Sequence, residues 1–332
     1  MKAAIIGIGG LSLADDEAAL IRAHAPLGVI LFGRNIADPG QLADLMVALR
    51  AVLPSDHVVM VDQEGGRVAR LRPPHWRAHP PAAAIGVLAA RDRDAGIRAA
   101  FLHGALIGAE CGQNGFSLVA APVLDRHVAG SHDVIGDRAF SADARLAGRL
   151  ARAMAEGLLA AGVMPIGKHA PGHGRARVDS HLALPILADV DDDDLTPFIA
   201  NAWLPWLMTA HIRYVAVDAE HPATLSGAMI ERVIRGRIGF GGVLVSDDLA
   251  MNALSGDAGA RAGRAVAAGC DVALHCSGEL AETASVLAAV PRITAATSAR
   301  LARAQAMAQR AARPLELAAM LDERAALLGL VV

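Results

Sequence analysis

The densest group of reactive side chains in this 332-residue sequence is Lys168-His169-Ala170-Pro171-Gly172-His173-Gly174, followed after four residues by Asp179-Ser180-His181. His169 and His173 have the i,i+4 spacing of a zinc-binding helix. Pro171 and Gly172 between them forbid a regular helix, so no metal site is expected there. Asp179 and His181 flank Ser180, so on an extended segment both side chains point the same way. A carboxylate beside an imidazole fixes its tautomer and raises its pKa, which suits general acid–base work near neutral pH. The same pair would serve equally well as a hydrogen bond that ties a loop together, and spacing does not separate the two readings.

Two further groups carry carboxylates. Ser246-Asp247-Asp248 ends an apolar run, and like charges that close resist joint ionisation unless one turns away or meets a cation. One could be a nucleophile or metal ligand, while Asp248 could cap a following helix. Asp62-Gln63-Glu64 ends another apolar run, before Gly65-Gly66 and then Arg67, Arg70 and Arg72. The glycines allow a tight turn, and the arginines suit polyol hydroxyls or a carboxylate, or brace the loop by ion pairs. The acidic run Asp191–Asp194 is expected to be a solvated helix start.

These groups need elements that bring them together. Apolar runs of strand length recur at 3–9, 27–33, 58–62, 116–122, 163–167, 207–211, 242–247 and 271–275. Most are continuously apolar, as in parallel strands covered on both faces. Helical patterns lie between them. Ser141 is expected to cap a helix carrying Leu146, Leu150, Met154 and Leu158, ended by Gly162. Thr224 or Ser226 would start a segment ending at Gly236, and Gly269 would close the one from 258. Eight strands alternating with helices favour a (β/α)₈ barrel of the TIM type over an open doubly wound sheet. No GxGxxG opens the first helix, which weakens a dinucleotide fold, and no GxxxxGK[ST] phosphate loop is present. The whole chain, 1–332, is read as one catalytic barrel domain, with 291–329 as helices packed on its exterior.

A parallel barrel carries its active site at the C-terminal strand ends, and there the ionisable residues gather. The runs end in Asp62-Gln63-Glu64, Asp125, Lys168-His169, His211, Ser246-Asp247-Asp248 and His275. On this ground Asp125, His173 and His211 join the candidates as weaker members.

Composition narrows the function further. With 54% hydrophobic and 20% charged residues, the chain must bury a large core, which excludes a disordered or fibrous protein. A net charge of −3 offers no basic field for nucleic acid and no strong attraction to a membrane surface. Three cysteines with no CxxC give no disulfide framework. The stretch from Met1 to Leu13 reads as a first strand, not an export signal, and no apolar run is long enough to span a bilayer. A cytoplasmic protein is expected. Of the 31 basic residues only Lys2 and Lys168 are lysine, so drift towards arginine has spared one lysine inside the chain.

Taken together, Asp62-Gln63-Glu64-Gly65-Gly66-Arg67-Val68-Ala69-Arg70-Leu71, the Lys168–His181 stretch and Ser246-Asp247-Asp248-Leu249-Ala250-Met251 resemble glycoside hydrolase family 3. The closer likeness is to its short, single-domain bacterial β-N-acetylhexosaminidases of peptidoglycan recycling. Ile135-Gly136-Asp137-Arg138-Ala139-Phe140 and Met208-Thr209-Ala210-His211 fit as well, and the likeness runs from about residue 1 to 300. The resemblance implies a retaining exo-β-N-acetylglucosaminidase without metal or other cofactor. It makes Asp247 the nucleophile, His181 the acid/base and Asp179 its partner, a departure from the usual pair of carboxylates. It assigns Asp62, Arg70, Arg138, Lys168 and His169 to the sugar hydroxyls and N-acetyl group. The implied partner is a small carbohydrate, a GlcNAc-containing anhydromuropeptide fragment, with neither nucleic acid nor membrane. The chain is expected to be self-sufficient as a monomer. Ala170 departs from the bulky residue common at that place. The alternatives are a β-glucosidase or a β-N-acetylglucosaminide phosphorylase of the same family, and then a metal-dependent hydrolase on the same barrel.

Overall fold

Eight of the apolar runs pair side by side, each buried on both faces, and close on themselves. The computed structural model describes residues 1–180 and 182–329. Its strands are β1 (Lys2–Gly7), β2 (Pro26–Leu31), β3 (Val58–Val61), β4 (Leu118–Val119), β5 (Met164–Ala170), β6 (Ile186–Leu187), β7 (Trp206–Thr209), β8 (Arg213–Tyr214), β9 (Val243–Asp248) and β10 (Val272–His275). The barrel runs in the order β1-β10-β9-β7-β5-β4-β3-β2, parallel throughout, while β6 and β8 form a separate two-stranded parallel pair. This is the (β/α)₈ barrel expected from the alternation of runs.

Side chains alternate along each strand, as the pleat requires. Ile5, Met60, Ile166, Met208, Val245 and Leu274 fill the barrel interior. Their neighbours Ile6, Val61, Leu207, Leu244 and Ala273 belong to the layer between strands and helices. The helices of that outer layer are α1 (Asp15–His24), α2 (Pro39–Arg50), α3 (Ala82–Arg91), α4 (Arg93–Gln113), α5 (Ala144–Ala160), α6 (Asp192–Ala200), α7 (Ala258–Ala268) and α8 (Leu280–Ala289). A wide-turned helix, Met229–Arg237, joins them. α4 and α5 approach closely because glycines face the partner backbone: a Cβ at Gly104 would lie 2.0 Å from the Met154 carbonyl oxygen.

Local chemistry sets the helix ends, with one correction. Asp143, not Ser141, caps α5, since its carboxylate accepts from the Arg145 and Leu146 amides. The Ser141 hydroxyl accepts from the Asp143 amide one step earlier. Ser226 accepts from the Met229 amide at the start of the wide-turned helix, Asp191 caps α6, and Gly269 follows α7 at a φ of 120°. β4 is shorter than its apolar run. Beyond Val119 the chain stays hydrogen-bonded to β5, from the Ile166 amide on the Ala121 carbonyl at 3.0 Å to the Leu124 amide on the Lys168 carbonyl at 2.7 Å, which delivers Asp125 to the barrel end.

After the barrel come α9 (Ala295–Ala311) and α10 (Leu317–Leu328). Ala304 and Ala308 of α9 pack into the cluster of Met164 and Trp206 at the N-terminal end of the barrel. Met320 of α10 packs on Leu102, Ala105 and Leu106 of α4. Among the described residues, no helix is long and apolar enough to cross a membrane.

Candidate active site

At the C-terminal end of the barrel the strand ends enclose a cavity of about 490 Å³. Asp62, Arg70, Arg138, Lys168, His169, His173, Asp179 and Asp247 all line it. They reach it from four places: the turn after β3, the loop carrying Arg138, the end of β5 with its following loop, and the end of β9. Asp125 and His211 lie behind that wall. His181 lies outside the described residues.

The floor is an ion network. Lys168 Nζ, with only 3% of its side chain exposed, sits 2.9 Å from Asp62 Oδ1 and 2.6 Å from Glu64 Oε1. Arg138 grips Glu64 at two points, Nε to Oε2 and NH2 to Oε1, each 2.8 Å. Arg70 NH2 reaches Asp62 Oδ2 at 3.1 Å, and its guanidinium lies 5.1 Å from the centre of the Phe32 ring. Burial pushes both carboxyls up, but the cations more than offset it. Lys168 and Arg70 hold Asp62 well below the usual range, and Arg138 and Lys168 bring Glu64 to about 2. Burial in turn pulls the Lys168 ammonium down, and Asp62 with Glu64 raises it above its ordinary value. Asp62, Glu64 and Lys168 are therefore charged at neutral pH, with fixed donors and acceptors.

Gln63 braces the same turn, its side-chain oxygen accepting from Arg70 N at 2.7 Å and Leu71 N at 3.1 Å. Glu64 ends the same run as Asp62, but strand-end reasoning does not carry it into the site candidates. The signal was present: Asp62 and Glu64 are two residues apart, and so share a side of the chain.

Asp125 organises the β5 end from behind. Its Oδ2 lies 2.6 Å from His169 Nδ1 and accepts from the His169 amide at 3.2 Å, while Oδ1 accepts from the His173 amide at 2.6 Å. Burial raises the Asp125 carboxyl and the adjacent His169 lowers it further, to a net depression. A carboxylate only accepts, so His169 Nδ1 carries the proton of this hydrogen bond. The Lys168–His169 peptide bond is cis. His173 Nε2 meets Ser180 Oγ at 3.0 Å, which ties the Asp179 segment to the β5 loop. Burial brings the His173 imidazole down to about 4, so it is neutral at working pH. His169 and His173 face each other edge-on, ring centres 5.8 Å apart. Among the described residues, no group of three or more His, Cys, Asp or Glu side chains is arranged to hold a metal ion.

The adjacent carboxylates of β9 are differentiated. Asp248 Oδ1 accepts from the amides of Ala250 at 2.9 Å and Cys276 at 3.0 Å, anchoring it to backbone. Burial raises the Asp248 carboxyl above its ordinary value. Asp247 Oδ1 accepts from the Asp248 amide at 2.8 Å, and the Asp247 amide meets Thr209 Oγ1 at 3.3 Å. His211 supports this end of the barrel, with Nδ1 at 2.8 Å from Thr224 Oγ1 and Nε2 at 2.8 Å from the Asp248 carbonyl oxygen. It binds structure to structure. Ala170, wholly buried, passes its carbonyl to the Ala210 amide at 2.7 Å.

The arrangement offers a strand-end carboxylate, Asp247, on the same cavity as a set of charged donors and acceptors suited to hydroxyl groups. Comparison with known proteins agrees in kind. Residues 4–313 match the glycosyl hydrolase family 3 N-terminal domain. The chain is 40% identical over 289 residues to a beta-hexosaminidase of Bordetella pertussis, covering 84% of this chain and 81% of that one. It is likewise 40% identical over 289 residues to a beta-hexosaminidase of Xylella fastidiosa, covering 84% and 85%. Among solved structures, NagZ from Neisseria gonorrhoeae in complex with N-trifluoroacetyl-D-glucosamine matches with a TM-score of 0.86 at 29% identity, covering 99% of this chain and 97% of that one.

Proposed function

This chain belongs to glycosyl hydrolase family 3 as a β-hexosaminidase-type glycoside hydrolase, and we propose that it removes terminal β-linked GlcNAc from anhydromuropeptide-type cell-wall fragments with retention of configuration. The observation that carries this reading is the place of Asp247, on the wall of the cavity that Asp62, Arg70, Arg138 and Lys168 also line, with Glu64 tying Arg138 and Lys168 together from outside the lining. The similar structure that holds an N-acylated glucosamine supports a sugar of that class in the cavity.

In the first step an Asp247 carboxylate oxygen attacks the anomeric carbon as the bond to the leaving oxygen breaks. His181, protonated, gives its proton to that oxygen. In the second step neutral His181 takes a proton from water, the water oxygen bonds to the anomeric carbon, and Asp247 departs as a carboxylate. Two inversions leave the configuration retained. Asp179, two residues from His181, keeps the imidazole in the useful tautomer and favours its charged form. The hydrogen bond from the Asp248 amide holds one Asp247 oxygen in place. Asp62, Arg70, Arg138, Lys168 and His169 hold the hydroxyls and the N-acetyl group, so no cofactor enters. The proposed setting is the cytoplasm, with a monomer acting alone.

Initial rates on 4-nitrophenyl β-GlcNAc and β-glucoside, each with and without phosphate, test the reading. It predicts a strong preference for the GlcNAc substrate and free sugar as the product in both buffers. A preference for glucoside, or sugar 1-phosphate as the main product, would overturn it.

A further inference from the structure

A buried polar cluster between α4, α10 and the turn after β3, outside the cavity lining, takes no part in the proposed chemistry. Arg324, on α10, is 3% exposed. Its NH1 lies 2.9 Å from His79 Nδ1 and 3.3 Å from His103 Nδ1. A guanidinium only donates, so both Nδ1 atoms must act as acceptors and both rings must carry their proton on Nε2. Those Nε2 protons have partners waiting: Glu110 Oε2 at 3.2 Å for His79, and the Glu64 carbonyl oxygen at 3.0 Å for His103. The His79 carbonyl oxygen in turn accepts from the Gly66 amide at 2.8 Å.

Both histidines therefore grip residues 64–66, the turn whose Glu64 side chain carries Lys168 and Arg138. The seat is tight. A Cβ at Gly65 would lie 2.3 Å from the Pro80 carbonyl oxygen and 2.9 Å from His103 Cε1, and Gly65 adopts a φ of 98°. A turn held this closely passes a small displacement of His103 directly to Glu64.

We infer that Arg324 is a positioning residue for the sugar site, acting through His103 on the Glu64 backbone, so that the C-terminal helix braces the ion network through α4. The inference rests on the proposed role of Lys168 and Arg138 in holding the sugar. It assigns α10 work beyond packing: the helix fixes the tautomer of an imidazole that locates a site carboxylate more than 200 residues away in sequence.

The test compares the full-length wild type with Arg324→Met, His103→Leu and the double variant, well below the lowest unfolding temperature. Thermal unfolding and kcat and KM on 4-nitrophenyl β-GlcNAc are measured for each. Each single change is expected to lower kcat/KM about tenfold, chiefly through KM, in a protein that remains folded. The double variant should be no worse than the poorer single one, because both break the same relay. Arg324→Lys, which keeps a donor in a smaller group, should restore part of the loss; it also serves as the reading if Arg324→Met fails to fold. A lower unfolding temperature with kcat and KM unchanged would make Arg324 a packing residue only and overturn the inference. So would losses that multiply in the double variant. Wild-type inactivity on this substrate would instead refute the proposed function, since the relay is judged only by variant-to-wild-type ratios.

Discussion

Lys168 Nζ lies 2.6 Å from Glu64 Oε1, a buried ammonium at the end of β5 set against a carboxylate from the turn after β3. The same nitrogen reaches Asp62 at 2.9 Å, while Arg138 bonds both Glu64 oxygens. A compact point charge with three donors can bridge two carboxylates and still turn a proton towards a ligand. A planar guanidinium needs more room and a different fan of donors.

Lys168→Arg is therefore expected to fold but to work poorly. Fitting the larger group into the network should cost about 1–3 kcal/mol of stability. kcat/KM on an aryl β-GlcNAc should fall by about a hundredfold, the scale expected when a supporting charge is displaced by an ångström. Thermal unfolding beside steady-state kinetics checks both. Near-wild-type activity would show that arginine drift could have claimed this position too.

How much of this was legible in the sequence depended on what each residue does. The strands were legible because runs such as Val58–Val61 and Val243–Val245 are apolar on both faces, which only a covered parallel sheet requires. Asp62, Lys168 and Asp247 were legible because they terminate such runs. Strand ends give depth along the barrel but not direction, so Asp125 and His211 sit at the right level and turn into the protein. Glu64, named at its run's end, was given no site role because its importance lies in two cations contributed by other segments. Arg324 had no signal at all, since a lone arginine on an Ala- and Leu-rich C-terminal helix reads as a solvated one. His181, prominent in the sequence, lies outside the described residues.

Acid should loosen the site before it unfolds the barrel. The Glu64 carboxyl is depressed from 4.5 to about 2, so the unfolded chain takes up its proton first as pH falls. Its contribution, on the order of 3 kcal/mol, is complete above pH 4.5 and is lost on the way down to about 2. His173 adds a second acid-side loss in a different window. It is depressed from 6.5 to about 4, so the unfolded state binds the extra proton between those values and stability declines as pH drops through them. Urea unfolding across this range should show a shallower slope between pH 6.5 and 4 for His173→Gln, and a shallower one below 4.5 for Glu64→Gln. A wild-type curve that is flat from neutral pH to 4 would contradict the His173 assignment.

Asp248 is expected to matter through the backbone it holds. Removing its carboxylate in Asp248→Ala leaves the Ala250 and Cys276 amides unpaired, at a cost of about 1–3 kcal/mol. The loss of alignment at neighbouring Asp247 should lower kcat about tenfold without abolishing turnover. Calorimetry and kinetics on the purified variant give the answer, and a total loss of activity with unchanged stability would mean that Asp248 takes part in bond making.

The central claim is that Asp247 forms the covalent bond to the sugar. A fluorinated analogue of the preferred glycoside whose glycosyl-enzyme hydrolyses slowly, followed by proteolysis and peptide mass spectrometry, reads that bond directly. A single glycosyl adduct on Asp247 is expected, with an Asp247→Ala variant that takes no label and keeps less than about 1% of wild-type kcat. An adduct on any other residue, or an Asp247→Ala variant that still turns over at a substantial fraction of the wild-type rate, would contradict it.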